Sequence, residues 1–252
     1  MTGDIMDISY WIASTPKTNY PILEKDMEAE VCIIGGGLVS AVTAYLLTKS
    51  GKEVIILERE QVGMGVTGNS TAKLTSQHGL FYQYLNNEFG FDFAKKYLDS
   101  NQEATSLAKK IIEEEQIDCD FEIQDSYVFT TSKQEAEKIA QEVSIVKKLG
   151  LNAEYLTKIP LPLKNILASI RFPDQAQLHI RKYLLSLFEI VNKRGGKIFE
   201  HTKVLDVERN LDGFTVYTKN HKINAKKVIM ATHYPIINFP GFYFLKMYQG
   251  KK

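Results

Sequence analysis

Residues Glu30 to Glu58 read EVCIIGGGLVSAVTAYLLTKSGKEVIILE, and no other stretch of the chain restricts its fold as tightly. Val31 to Ile34 is a short apolar, β-branched run, as a buried parallel strand would be. Gly35-Gly36-Gly37 follows at once, and apolar residues then recur at helical spacing from Leu38 to Leu47. Gly51 stands where a helix-ending glycine belongs. Val54 to Leu57 is a second buried-strand run, and it ends on Glu58. Strand, glycine turn, helix, strand and acid in this order predict the βαβ unit that binds a dinucleotide.

The residue types suit that task. Gly35 permits the tight turn, and Gly37 lets the backbone approach a pyrophosphate with no Cβ in the way. The phosphates then meet the free N–H groups and the positive dipole end of the helix. Contacts are expected from Gly35, Gly36, Gly37, Leu38, Val39 and Ser40. Glu58 can accept hydrogen bonds from an adenosine ribose and would repel a 2′-phosphate, so NADP is disfavoured. The third fingerprint position holds Ser40 in place of glycine, small enough for close helix–strand packing. The alternative is a βαβ unit without nucleotide, whose glycines serve packing alone.

Charge says little about partners. The 252 residues carry 31 Lys and Arg against 30 Asp and Glu, which implies neither nucleic-acid nor membrane affinity. Cys32 and Cys119 form no metal-ligand spacing and read as buried thiols in a reducing compartment. The N-terminus carries Asp4 and Asp7 and no apolar core, so it is not read as a secretory signal. Val31 to Leu47 is apolar, but three glycines and a length below about 20 residues argue against a membrane span. The expected location is cytoplasmic.

Residues 1–28 read as a polar arm whose Tyr10-Trp11 pair docks on the body. The segment from Gly63 to Gly79, GMGVTGNSTAKLTSQHG, is too polar and glycine-rich for a strand or helix interior. Its place after the second strand is the carboxyl edge of the sheet, where ligands bind. There Arg59, Gly65, Thr67, Ser70, Thr71, Ala72 and Lys73 become candidate cofactor contacts. Leu80 to Gln116 has helical periodicity, Phe121 to Thr130 reads as a strand and Lys133 to Leu149 as an amphipathic helix. Ala153 to Leu156 reads as a further strand. Pro160, Pro162 and Pro173 mark an irregular section, followed by a helix from about His179 to the glycine stop at Gly195-Gly196. Strands are expected at Lys197–Glu200, Val204–Glu208 and Phe214–Thr218, with an Asp212-Gly213 hairpin turn, and again at Lys227–Met230.

The GGGLVSAVTA fingerprint, Glu58, GMGVTGNSTAKLTSQHG, IDCDFE with YVFT, DQAQLHIRKYL and VIMATHYP together resemble the D-amino-acid-oxidase-like family of FAD-dependent oxidoreductases. The branch that often carries a C-terminal Rieske domain is the nearest in pattern. The resemblance runs from Tyr10-Trp11 to Phe242-Tyr243-Phe244. It implies FAD as cofactor and an α/β fold: a Rossmann-like FAD/NAD(P)-binding domain at 29–80 and 197–235, with an interleaved, incomplete α+β substrate domain at 81–196. It also implies backbone contacts from Val204 to the adenine and a return of the chain to FAD at Ala231, Thr232 and His233, where His233 replaces the usual glycine. Lys73 is the candidate for a positive charge near the flavin and His78 for a residue lining the ring or substrate pocket. An exposed loop lysine and a loop-capping histidine are the plainer readings of the two, and His179 reads as a helix cap.

Family members continue well beyond the ATHYP stretch. Here 236–252 reads as the start of a truncated C-terminal part, with no Cys/His spacing for a Rieske cluster. The reaction implied is flavin-mediated hydride abstraction from a small-molecule substrate of amine or amino-acid type. An FAD-binding fragment without turnover is the alternative, and an NAD-dependent dehydrogenase is disfavoured by the 63–79 block. An electron acceptor or Rieske partner and a homo-oligomer stay open.

Overall fold

Alternation between apolar runs and glycine turns produces the expected elements, in a computed structural model that describes residues 8–234 and 236. Asp4, Asp7, Pro235 and the rest of 236–252 lie outside the described residues. In chain order the elements are α1 (Tyr10–Ala13), β1 (Met27–Ile34), α2 (Leu38–Lys49), β2 (Val54–Leu57), β3 (Lys73–Leu74), α3 (Tyr82–Phe89), α4 (Phe91–Glu114), β4 (Glu122–Thr130), α5 (Lys133–Lys148), β5 (Glu154–Leu156), β6 (Ala168–Gln177), α6 (Ile180–Lys193), β7 (Lys197–Phe199), β8 (Asp206–Asn210), β9 (Gly213–Tyr217) and β10 (Lys222–Met230). A 3₁₀ turn covers Thr67–Asn69. Two compact units result. The first takes in the described residues up to Thr71 and from Ile180 onward, and the second spans Ala72–His179. The helix α6, read with the 81–196 insertion, thus groups with the first unit, and residues 72–80 group with the second.

The first unit is built on a six-stranded sheet in the order β7-β2-β1-β10-β9-β8. Its first four strands are parallel, and β9 and β8 are antiparallel additions. All four residues of β2 are buried, as are Val31 to Ile34 of β1. A parallel strand covered on both faces has no room for alternating polar residues. On one face Cys32, Ile34, Ile55, Leu57, Val204, Val216 and Ile223 form a core. The helix α2 buries Ser40, Ala41 and Ala44, all small, and packs against α6, which buries Leu184, Leu187, Phe188 and Val191.

The second unit has an antiparallel sheet in which β6 lies between β3 and β4 and also pairs with β5. Helices α3, α4 and α5 cover one side, where Leu85, Leu98, Ile139, Val146, Ile170 and Phe172 meet. Two expectations are corrected here. The helical run from Leu80 to Gln116 is two helices, broken at Gly90, whose φ of +84° cannot continue a helix. The proline-marked section contains the ten-residue strand β6, with Pro173 inside it. Pro173 and Asp174 sit opposite a register shift between Gln124 and Ser126, so the bulge absorbs a residue that cannot join the ladder.

Candidate functional site

The three glycines at the carboxyl end of β1 do three different things. Gly35 has φ +108°, and a Cβ there would lie 2.8 Å from the Ala231 carbonyl oxygen. Only glycine fits where β10 passes so closely. The Ala231 amide in turn donates to Ile34 O at 2.9 Å, which carries the β1–β10 pairing into the turn. A Cβ on Gly36 would meet Val62 Cγ1 at 2.8 Å and Glu58 Oε2 at 3.0 Å. Gly37 is unlike both. Its backbone is extended, and its Cβ would have one neighbour, Thr67 Oγ1, at 3.4 Å. Nothing in the packing of the described residues demands glycine at 37, so the open space there fits a bound group.

That space faces the start of α2. The first intrahelical bond runs from Ala41 N to Gly37 O, so the amides before it are the donors every helix N-terminus leaves open. Leu38 N donates to Thr67 Oγ1 at 3.1 Å, and a hydroxyl oxygen already stands where an anionic oxygen would be favoured. Val39 is exposed, and Ser40 is buried with no hydrogen-bond partner for its hydroxyl among the described residues.

Glu58 is held from several sides. Its Oε2 accepts from Gly36 N at 2.6 Å and its Oε1 from Glu60 N at 2.9 Å. The Glu58 amide donates to Phe199 O and its carbonyl accepts from Thr202 N, both at 2.8 Å. The carboxylate therefore braces the glycine turn, and each oxygen keeps acceptor capacity for a ribose hydroxyl. Val204 is buried, and among the described residues its backbone amide and carbonyl make no hydrogen bond, while Leu205 N is bound to Tyr217 O at 2.8 Å. Arg59 is exposed, and its 3.7 Å ion pair with Glu60 is of the surface kind that contributes little. Gly65 and Thr71 are exposed, and Ser70 is half-buried. Thr232 is half-buried and His233 exposed at the end of β10.

The structure thus brings Gly35–Ser40, Glu58, Thr67 and Ala231 together. Lys73 and His78 belong to the second unit, as does the buried Ala72. There Lys73 is exposed on β3, opposite Gln177, and the His78 ring lies 3.2 Å from the Tyr97 hydroxyl. His179 is buried, and its amide donates to Cys119 O at 2.7 Å. Burial pushes the Cys32 thiol up to about 12, which keeps it protonated and inert beside the turn.

Two groups behind the site gave no signal in the sequence. Glu200, at the end of β7, is buried and accepts from Val62 N at 2.8 Å, Tyr20 N at 3.1 Å and the Thr18 hydroxyl. Arg181 in α6 is 1% exposed, and burial lowers its pKa. Each lies in an ordinary-looking amphipathic run, and its partners are far off in sequence.

No helix among the described residues is long and apolar enough to cross a membrane. A family model described as FAD dependent oxidoreductase matches residues 30–242. The Bacillus subtilis protein YhfW, provisionally named a Rieske 2Fe-2S iron–sulfur protein, is 36% identical over 96% of this chain and 48% of its own length. The γ-glutamylputrescine oxidoreductase of Escherichia coli is 25% identical over 88% of this chain and 53% of its own. The chain spans about half the length of the curated relatives it matches. Among solved structures, glycine oxidase from Geobacillus kaustophilus aligns over 81% of this chain and 55% of its own, at 21% identity and a TM-score of 0.68. The chain that carries this glycine turn, braced by an acid and returned to by β10, is thus matched over most of its length by sequence and fold alike, and it belongs to the FAD dependent oxidoreductase (DAO) family.

Proposed function

We propose that the unit built on Glu30–Glu58 binds FAD and that the protein is an oxidoreductase acting on a C–N bond of a small amine or amino acid. The observation that carries the reading is Gly37: a glycine with no steric reason among the described residues, at a helix N-terminus, beside an acid that already faces the turn. In this reading the α2 amides and Thr67 hold the pyrophosphate, Glu58 the adenosine ribose and Val204 the adenine edge. When bound, the flavin supplies the hydride acceptor. Lys73 is assigned the positive charge beside the ring, on its place in the 63–79 block, and His78 a wall of the substrate pocket. The named activities of the E. coli and Geobacillus relatives support the substrate class. The name of YhfW supports an iron–sulfur protein of Rieske type as electron acceptor. Two buried cysteines outside any disulfide suit a reducing compartment, and we place the protein in the cytoplasm.

The test is a titration with FAD, followed by anaerobic addition of small amines and amino acids while the flavin absorbance is read. Glu58→Gln should weaken FAD binding by about 1–2 kcal/mol, the size of one charge-assisted hydrogen bond. Unchanged affinity removes Glu58 from the ribose site. Saturable binding without reduction by any substrate of the class leaves a cofactor-binding protein without turnover.

A further inference from the structure

The loop that supplies Thr67 is pinned from two sides. On the inner side Gly63 N donates to Gly36 O at 2.9 Å, and the Thr67 hydroxyl receives Leu38 N. On the outer side lies the N-terminal arm. Ser9 Oγ donates to Gly68 O, and Trp11 Nε1 donates to Ser70 O at 2.7 Å. A Cβ on Gly68 would be 3.0 Å from the Ile12 side chain and 2.4 Å from Gly63 O, so the glycine is what lets the arm seat.

Arg181 anchors the same arm. Its Nη1 donates to Pro16 O at 2.8 Å and to the Thr15 hydroxyl. This guanidinium is 1% exposed: the arm takes up Nη1, Nη2 reaches Met64 Sδ at 4.0 Å, and Nε has no partner among the described residues. Losing the arm would therefore strand a buried charge further. Further along, Thr18 donates to Glu200 and accepts from Gln61 Nε2 at 2.8 Å, while Glu200 also holds Val62 N. The loop itself contains Gly63, Gly65 and Gly68 and pairs with no strand among the described residues. These contacts therefore add to its few internal bonds, such as Asn69 Nδ2 to Gly65 O at 2.9 Å, in setting its shape.

We propose that residues 9–18 are a strap that holds the 62–70 loop in its cofactor-receiving shape, with Trp11 and Arg181 as positioning residues. Strap docking and cofactor binding are then coupled, each strengthening the other by the same factor. The proposal rests on the FAD reading above.

Trp11 is the chain's single tryptophan, so its emission reports the strap directly. ADP serves as a probe because it carries the pyrophosphate and no flavin to quench the indole. In the wild-type chain, saturating ADP should slow amide hydrogen exchange at residues 9–18 as well as at 63–70. Arg181→Met should shift Trp11 emission to the red and weaken FAD binding about tenfold, the loss expected when one hydrogen-bonded contact is removed. Trp11→Phe keeps a ring and deletes one N–H, so it serves should Arg181→Met not fold. It should speed exchange at 67–70 and weaken FAD binding in the same sense. A released strap with unchanged FAD affinity, or ADP binding that leaves exchange at 9–18 unaltered, overturns the strap alone. A wild-type chain that binds neither FAD nor ADP overturns the functional reading and the strap with it.

Discussion

Neighbouring glycines in the turn answer to different masters, and substitution should separate them. Gly35→Ala puts a Cβ against the Ala231 carbonyl at a positive φ, so it should destabilise the fold by roughly 2 kcal/mol or more, read as a lowered Tm. Gly37→Ala meets no such obstacle and should melt close to wild type, yet lose at least tenfold in FAD affinity. Equal FAD affinity in Gly37→Ala and wild type would mean that no ligand approaches there. Ser40 permits a cleaner measurement. Its hydroxyl is fully buried and has no partner among the described residues. Ser40→Ala should therefore raise stability by about 1 kcal/mol, since a desolvated, unpaired hydroxyl is removed and alanine is the better helix former. A lowered urea midpoint would show that the hydroxyl has a partner after all.

Among the elements, α3 starts on a borrowed cap. Its own N-cap residue, Phe81, has no capping side chain. The buried Glu142 of α5 accepts from Phe81 N, Tyr82 N and Gln83 N, each at 2.8 Å. Burial pushes the Glu142 carboxyl up, against the pull of those three donors. The folded state therefore holds this proton more tightly than the unfolded chain does. Its contribution to stability is full below the ordinary glutamate range and declines as pH rises through the raised value. Urea titrations across that window should show a falling stability in wild type and a flat one in Glu142→Gln. A matching slope in both proteins would assign it to other groups. Nothing of this cap was legible in the sequence, because its two ends lie about sixty residues apart. By contrast, β2 was legible to the residue and α2 to within two, as contiguous apolar runs closed by Glu58 and Gly51. The strand β1 was legible at its Gly35 end but begins four residues earlier, at Met27, where polar Glu28 and Glu30 break the apolar run. The strand β6 escaped for a local reason: Pro173 reads as a breaker unless the bulge facing it is known. Glu58 was legible as an acid at the strand end, but its bond to Gly36 N was not.

At the scale of the molecule, the second unit begins and ends at one place. Leu178 N donates to Ala72 O at 3.4 Å, and Lys73 pairs with Gln177. A short glycine linker could therefore join residue 72 to residue 178. A chain so shortened should keep the sheet signal of the first unit in circular dichroism and still bind ADP. Loss of that signal would show that the first unit does not stand without the second. The first unit also has a temporal order written into it. β1 and β2 are neighbours in sequence as in space, but β1's other neighbour, β10, lies almost two hundred residues downstream. On a ribosome the fingerprint emerges early and stays half-walled until Ala231 arrives to close over Gly35. Long-range parallel pairing of this kind is slow to form. Cofactor loading thus becomes a late event in the life of the polypeptide, and bound FAD marks a chain whose sheet has already closed.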